Sequence, residues 1–417
     1  MDNALARLAR LNPFKTPDAR RLALLFAVVY LAQGTWYLPN QTITITLKDA
    51  GLGAGQVATF FAITTAPWVI KPVYGLVSDF VPLFGRRRKS YFLLTTALAA
   101  AAGAWLALTP GHPYWWLAAL FTLMGVGVAF TDVLTDALMV QSGKPLGLTG
   151  AFQAVQWAAI SVATILTGVV GGYFAERRDL HSVFALATCF PLVSFAMAWL
   201  FVREPRERGG GHEAFAQTWA AIRVALRERD LWIVAGFIFF WAFSPSFGTA
   251  LLYYQTDRLG LSQQFIGYLS SATAAGGVVG ALLYAPLSRR LPMRRLIQGA
   301  VVVGTLATLL FLLYRGARSA MVIEPVYGCL AMMTLLAFLD LAAKACPRRV
   351  EATFFALLMS VYNLGGQASQ VVGGYLYDGL GYEPLILVSA AMTAFAWALV
   401  PFVAFERIEA RARETGA

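Results

Sequence analysis

The sequence predicts an all-α polytopic membrane protein with twelve transmembrane helices in two six-helix pseudo-repeats. Composition, the spacing of apolar runs and an internal repeat carry that expectation. Of 417 residues, 58% are hydrophobic and 13% charged, against roughly 45–50% and about 25% in an ordinary soluble domain. Twelve spans of about 20 residues need roughly 240 apolar-dominated positions, and 58% of the chain supplies them. Period-two alternation is scarce, so an outer-membrane barrel is excluded, and helices are the remaining way to satisfy backbone polar groups in lipid.

Apolar runs of spanning length fall at 22–46, 56–80, 90–108, 113–140, 149–175, 181–202, 231–256, 264–288, 295–314, 319–344, 351–377 and 383–405. The net charge of +11 then acquires an address. Of 33 Lys and Arg, 25 lie on one alternating set of loops with the termini, six on the other set, and Lys71 and Lys344 within segments. The positive-inside rule places both termini in the cytoplasm, in the inner membrane of the cell. The surplus therefore reports topology and calls for no nucleic-acid partner. MDNALARLARLNPFKTPDARR precedes the first apolar stretch without a small-residue cleavage site, so no removed signal peptide is expected. Cys189, Cys329 and Cys346 are far apart, and neither a disulfide nor a metal site is expected.

The longest polar connection divides the chain into a bundle at 1–202, a linker at 203–230 and a second bundle at 231–417. After REPRERGGG the linker carries Phe215, Trp219, Ile222 and Leu226 at helical spacing opposite Arg223, Arg227 and Arg229, which predicts an amphipathic helix on the membrane surface. VVGGYF (169–174) in segment five recurs as VVGGYL (371–376) in segment eleven, an offset of 202 residues. Asp136 maps onto Asp340 with a two-residue gap. Duplicated six-helix halves are the trace of the major facilitator fold.

Ionisable groups inside hydrocarbon need a partner, a wet cavity or a function. Five stand out: Lys71, Asp132, Asp136, Asp340 and Lys344. Asp340 and Lys344 share a helix face and can neutralise each other. Asp132 and Asp136 also share a face but repel, so either a cation such as Lys71 lies between them or one carries a proton. This assigns the four groups Asp132, Asp136, Asp340 and Lys344 to proton coupling or a charge network. Polar and aromatic side chains mark the lumen: Gln33, Trp36, Tyr37, Asn40 and Gln41 in segment one, Gln153, Gln156 and Trp157 in five, Tyr362, Asn363, Gln367 and Gln370 in eleven. Any single Gln is better read as interhelical glue, but together these side chains imply a polar cavity for a ligand larger than an ion. Trp36, Trp157 and Trp241 offer faces for a flat ring, and Lys71 a charge for an anion.

Between segments two and three, Gly75, Asp79 and the run Arg86, Arg87, Arg88, Lys89 form a candidate cytoplasmic gate. Gly75 is expected to allow close helix approach and Asp79 to hold a basic residue in one conformation. After segment eight, Arg289, Arg290, Arg294 and Arg295 follow Ser288 without a matching acid.

APWVIKPVYGLVSD (66–79), GRRRKSYF, TDVLTDALMV (131–140) and above all CPRRVEATFFALLMSVYNLGG (346–366) resemble the folate-biopterin transporter family of the major facilitator superfamily. The resemblance spans nearly the whole chain. It implies a proton-linked secondary transporter (a symporter) of folate- or pterin-like anions, with Lys71, Asp132 and Asp136 in the motif positions. A muropeptide permease of the same superfamily shares the apolar-Lys-Pro segment two and the paired acids, and is the alternative. A non-transporting receptor or scaffold is the alternative from another class. An enzyme is disfavoured because His112, His181 and His212 lie in or near loops, and a primary pump because no phosphate-cradling Gly-Lys-Ser or Gly-Lys-Thr loop occurs. No cofactor is expected; the expected partners are a small-molecule substrate, protons and the bilayer, and the chain is expected to act as a monomer.

Overall fold

A computed structural model of the chain describes residues 13–204, 219–220, 223, 226–346 and 351–413. The expected surface helix through Phe215 and Ile222 lies largely outside the described residues. Among the described residues, ten spans are long and apolar enough to cross a membrane: Pro17–Asp49, Ala54–Phe80, Lys89–Leu108, Tyr114–Gly143, Thr149–Arg177, Leu180–Phe201, Gln263–Ser288, Met293–Leu313, Ala317–Ala345 and Tyr382–Phe402. Two more helical segments complete twelve. Segment seven is divided into Arg229–Ala242 and Gly248–Asp257, each too short to count alone, and segment eleven is Glu351–Leu380.

Local chemistry sets the ends. Thr16 accepts from the Ala19 N–H at 3.1 Å with Pro17 in the first turn, Asp179 caps segment six through Ser182 N–H at 2.9 Å, and Ser262 caps segment eight through Phe265 N–H at 3.2 Å. Each half has its own apolar core. In the first, Trp36, Phe60, Phe121 and Phe184 are buried together; in the second, Phe237, Phe338, Leu341 and Phe354 are.

The halves meet at the end of the bundle away from the termini. Segment five crosses segment eight at Gly172 and Gly267, and segment two crosses eleven at Gly55 and Gly374. A Cβ on Gly267 would stand 2.8 Å from Gly172 Cα, and one on Gly374 would stand 2.8 Å from Gly55 Cα, so the crossings exist only because no side chain intervenes. Acids lock them. Asp378 at the end of segment eleven accepts from Ala54 N–H (2.9 Å) and Gly55 N–H (2.8 Å) at the start of segment two. Glu176 at the end of segment five accepts from Gln264 N–H (3.2 Å) at the start of segment eight. Each half thus caps a helix of the other. Lys48–Asp257 at 2.6 Å and Tyr253 Oη to Leu52 O at 2.6 Å complete the closure.

Val at both Gly172 and Gly374 is expected to force this end apart. Electron–electron distance measurements between spin labels at the exposed Asp49 and Arg258 would move most of the population to a longer separation; an unchanged distribution would mean that the crossings do not hold this end.

Candidate functional site

Segment two is broken where the sequence places Pro67 and Pro72. A three-residue 3-10 turn, Ala66–Trp68, separates Ala54–Thr65 from Lys71–Phe80. Pro72 has no N–H, which leaves the carbonyl of Trp68 without its helical donor. Val69 N–H bonds Ala66 O at 2.9 Å, which bypasses the carbonyl of Thr65. Both orphans are answered from the other half: Asn363 Nδ2 donates to Trp68 O at 3.3 Å and Gln367 Nε2 to Thr65 O at 2.9 Å. Asn363 and Gln367, read from the sequence as substrate-binding, are here interhelical ties one turn apart on segment eleven.

The break sets Lys71 at the start of the second piece. Its Nζ pairs with Asp132 Oδ2 on segment four, the side chains being 23% and 6% exposed. Asp136, one turn on and itself exposed, accepts a hydrogen bond from Tyr30 Oη of segment one. Lys71 lies within electrostatic range of Asp136 and Tyr37 as well. One ammonium thus serves two carboxylates, and the buried carboxylate takes the ion pair while the accessible one takes a phenol.

Beside this cluster is a cavity of about 570 Å³ whose walls include Trp157, Ser161 and Thr164 of segment five, Trp241 and Ser246 of seven, Thr273 of eight, Tyr327 of ten, and Tyr362 and Gln370 of eleven. The volume falls within the ~300–1,000 Å³ of sites for organic ligands. Trp241 stacks on Phe338 at 3.8 Å, its ring nearly parallel to that of Tyr362 at 6.0 Å. Trp157 is half exposed. Lys71 does not line this cavity. The link runs through Tyr37, itself 49% exposed, which is within electrostatic range of Lys71 and of the cavity residue Tyr362.

Other expected site residues are placed elsewhere. Trp36 is 2% exposed and stacked on Phe121 at 4.0 Å; its ring is committed to the first-half core, so it is not a cavity wall. Gln33 borders a small internal void between segments one, three, four and six, and its Oε1 is buried without a partner. Gln156 is buried and its Nε2 also lacks a partner. Asp340 and Lys344 form the i, i+4 ion pair at 2.9 Å.

At the loop between segments two and three, Arg88 pairs with Asp79 and donates to Ser78 Oγ at 2.6 Å. Gly75 is not a close approach: a Cβ there would meet Val133 Cγ1 at an ordinary 3.7 Å. Glu204, not singled out from the sequence, accepts from the N–H groups of Arg87, Arg88 and Lys89 at 2.8–3.1 Å. Arg86 closes a tight turn on Leu83. The acid missing after segment eight comes from beyond segment twelve. Glu409 accepts from Met293 N–H at 2.8 Å and Glu406 pairs with Arg294 at 3.6 Å, so the second half has its own acidic clasp and the expected asymmetry is smaller than the local sequence suggests.

Residues 33–386 match the BT1 family. The chain belongs to that family. Among curated BT1-type relatives, a folate-biopterin transporter of Synechocystis sp. is 34% identical over 88% of this chain and 76% of its own length. A probable folate-biopterin transporter of Arabidopsis thaliana is 23% identical over 86% and 88%, and a folate transporter of Plasmodium falciparum is 23% identical over 90% and 86%. Among solved structures, a D-xylose-proton symporter superposes with a TM-score of 0.69 at 15% identity, covering 92% of this chain and 98% of that one. A nucleoside transporter gives 0.71 at 12% identity, covering 93% and 99%. The fold is that of the major facilitator transporters. This BT1 member is a multi-pass membrane transporter of a small-molecule substrate, in a family of transporters and not of enzymes.

Lys71→Ala would leave Asp132 buried and unpaired, a change that costs roughly 3–5 kcal/mol for buried pairs. Thermal unfolding of the purified protein is expected to register that loss, and the double variant Lys71→Ala/Asp132→Asn to recover most of it. Equal destabilisation in the single and double variants would mean that the pair is not what holds segments two and four together.

Proposed function

We propose that the protein is a proton-coupled secondary transporter that moves folate- or pterin-like anions by alternating access. The carrying observation is the placement of one ammonium and two carboxylates at a helix break beside an aromatic-walled cavity. With both acids ionised, Lys71 is fully engaged and the cluster has a net negative charge that repels an anion. A proton on one carboxylate frees part of the lysine's field for the substrate, so anion and proton enter together. Trp157, Trp241 and Tyr362 supply faces for a flat ring. An anion and a proton that enter together carry no net charge, so the driving force is the pH gradient, worth about 1.4 kcal/mol or tenfold accumulation per pH unit, without ATP.

The named relatives support the substrate class, because two are described as folate-biopterin transporters and a third as a folate transporter. The charge bias of the loops supports an inner-membrane orientation with both termini cytoplasmic, and the crossings described above are then the outer closure. The division at 203–230 supplies the two bodies that rock. A cavity walled by one chain supports a monomer.

Labelled folate should accumulate in proteoliposomes under an imposed pH gradient and leak out when a protonophore is added. Asp136→Asn should flatten the pH dependence of uptake by removing one titrating carboxylate. No gradient-dependent accumulation of either folate or a pterin would overturn the proposal.

A further inference from the structure

The second half contains a buried acid that the mechanism above does not use. Glu324 lies two turns inside segment ten and is 6% exposed. Its carboxylate receives neutral donors only: Thr273 Oγ1 to Oε2 at 2.7 Å, Tyr314 Oη to Oε1 at 3.0 Å and Gln255 Nε2 to Oε1 at 3.3 Å. The ionisable groups in electrostatic range are the phenols of Tyr314, Tyr327 and Tyr382, from the turn after segment nine, segment ten itself and segment twelve. The cations nearest in sequence, Arg315 and Arg318, are exposed, and among the described residues Glu324 is in no ion pair. This contrasts with the other acids named inside the bundle: Asp132 has Lys71, Asp340 has Lys344, and Asp136, which takes a phenol, still has Lys71 within electrostatic range. A carboxylate in hydrocarbon that lacks a cation is a proton acceptor.

Thr273 makes the site switchable. Its hydroxyl has one hydrogen and two possible acceptors, Glu324 Oε2 at 2.7 Å and Leu269 O at 3.0 Å. When Glu324 is ionised the hydrogen points to Oε2. When Glu324 is protonated, its own O–H donates to Thr273 Oγ1 and the threonine turns to Leu269 O. Both states are fully hydrogen-bonded with no movement of the backbone. Thr273 also lines the central cavity, as does Tyr327, one turn from Glu324. Three partners on three elements hold the acid in place, and the hydroxyl between it and the cavity is the proton's route.

We propose that Glu324 is a second proton-binding site of this transporter, loaded from the cavity through Thr273. In the loading step a hydronium ion in the cavity gives a proton to Thr273 Oγ1 while the hydroxyl's own hydrogen passes to Glu324 Oε2. The hydroxyl then rotates to Leu269 O. A ligand bound against Thr273 and Tyr327 blocks this exchange, so the proton is retained while the cavity is occupied. The role in coupling rests on the transport reading above; the protonation itself does not.

The test separates the two. Infrared difference spectra of the full chain in lipid, stepped between acid and alkaline pH, should contain a carboxylic-acid C=O band that is lost in Glu324→Gln, persists in Asp136→Asn, and shifts in frequency in Thr273→Val. Glu324→Gln imitates the protonated state, because its amide donates to Thr273 as the acid would, so the variant is expected to fold. In proteoliposomes the same variant should keep folate counterflow at equal pH but lose most of the gradient-driven accumulation. A spectrum in which the pH-dependent carboxyl bands are the same in wild type and Glu324→Gln would overturn the proposal whatever the transport result. Absence of folate movement in the wild type, with the Glu324 band present, would sink the folate reading and leave the proton site standing.

Discussion

Lipid offers no hydrogen bonds, and the architecture follows from how this chain answers that constraint. A continuous helix satisfies itself, but segments one, two and seven are interrupted, and every interruption releases backbone groups that need partners. In segment two the partners are Asn363 and Gln367. In segment seven, around Pro245, Ser246 N–H bonds Ser369 O at 3.1 Å and Ser369 Oγ donates to Ser244 O at 2.7 Å. Segment eleven therefore serves the breaks of segments two and seven, one in each half. The same logic governs the closed end, where the free N–H groups of segments two and eight are taken by Asp378 and Glu176. Orphan backbone groups thus tie the halves together, and such ties can be exchanged for water when the halves separate.

The internal repeat gains physical content from this. Gly172 and Gly374, which make the two crossings, stand at the 202-residue offset first seen in VVGGYF and VVGGYL, and so do Glu176 and Asp378, which cap them. Glu204 and Glu406 repeat it again at the other end, beside the starts of segments three and nine. Scaffold and closure are symmetric. The interior is not: the first half places Lys71 with Asp132 and Asp136, whereas the second supplies most of the aromatic cavity wall and Glu324.

Much of this was legible because hydrophobic length and loop charge act over whole segments, and the twelve expected spans match the helices to within a few residues. Lys71 with Asp132 was legible because few charges occur in apolar surroundings. Roles that depend on which way a polar side chain points were not. Trp36 and Trp157 look alike in the sequence, yet one is stacked in a core and the other half exposed on the cavity. Asn363 and Gln367 have a lumen-like spacing, but the carbonyls that claim them are freed nearly 300 residues away in sequence, by Pro72 and the turn before it. Glu324 was legible in principle, since it falls inside an apolar run; its proximity to the loop hid it among ordinary end-of-helix acids.

The asymmetric interior bears on how a symmetric scaffold does directional work. In the rocking mechanism proposed above, motion alone would favour neither face, because the repeat gives both ends similar ties. Bias has to come from groups whose partners change with occupancy. On the transport reading proposed above, Lys71 is such a group: it pairs with Asp132, and a substrate anion would compete for the same charge. Drawing the lysine away would leave Asp132, 4% exposed, without its cation, which is costly unless a carboxylate of the cluster takes a proton. On that reading the substrate's charge and the proton are linked through one side chain, and that side chain sits on the segment whose break is held by the opposite half.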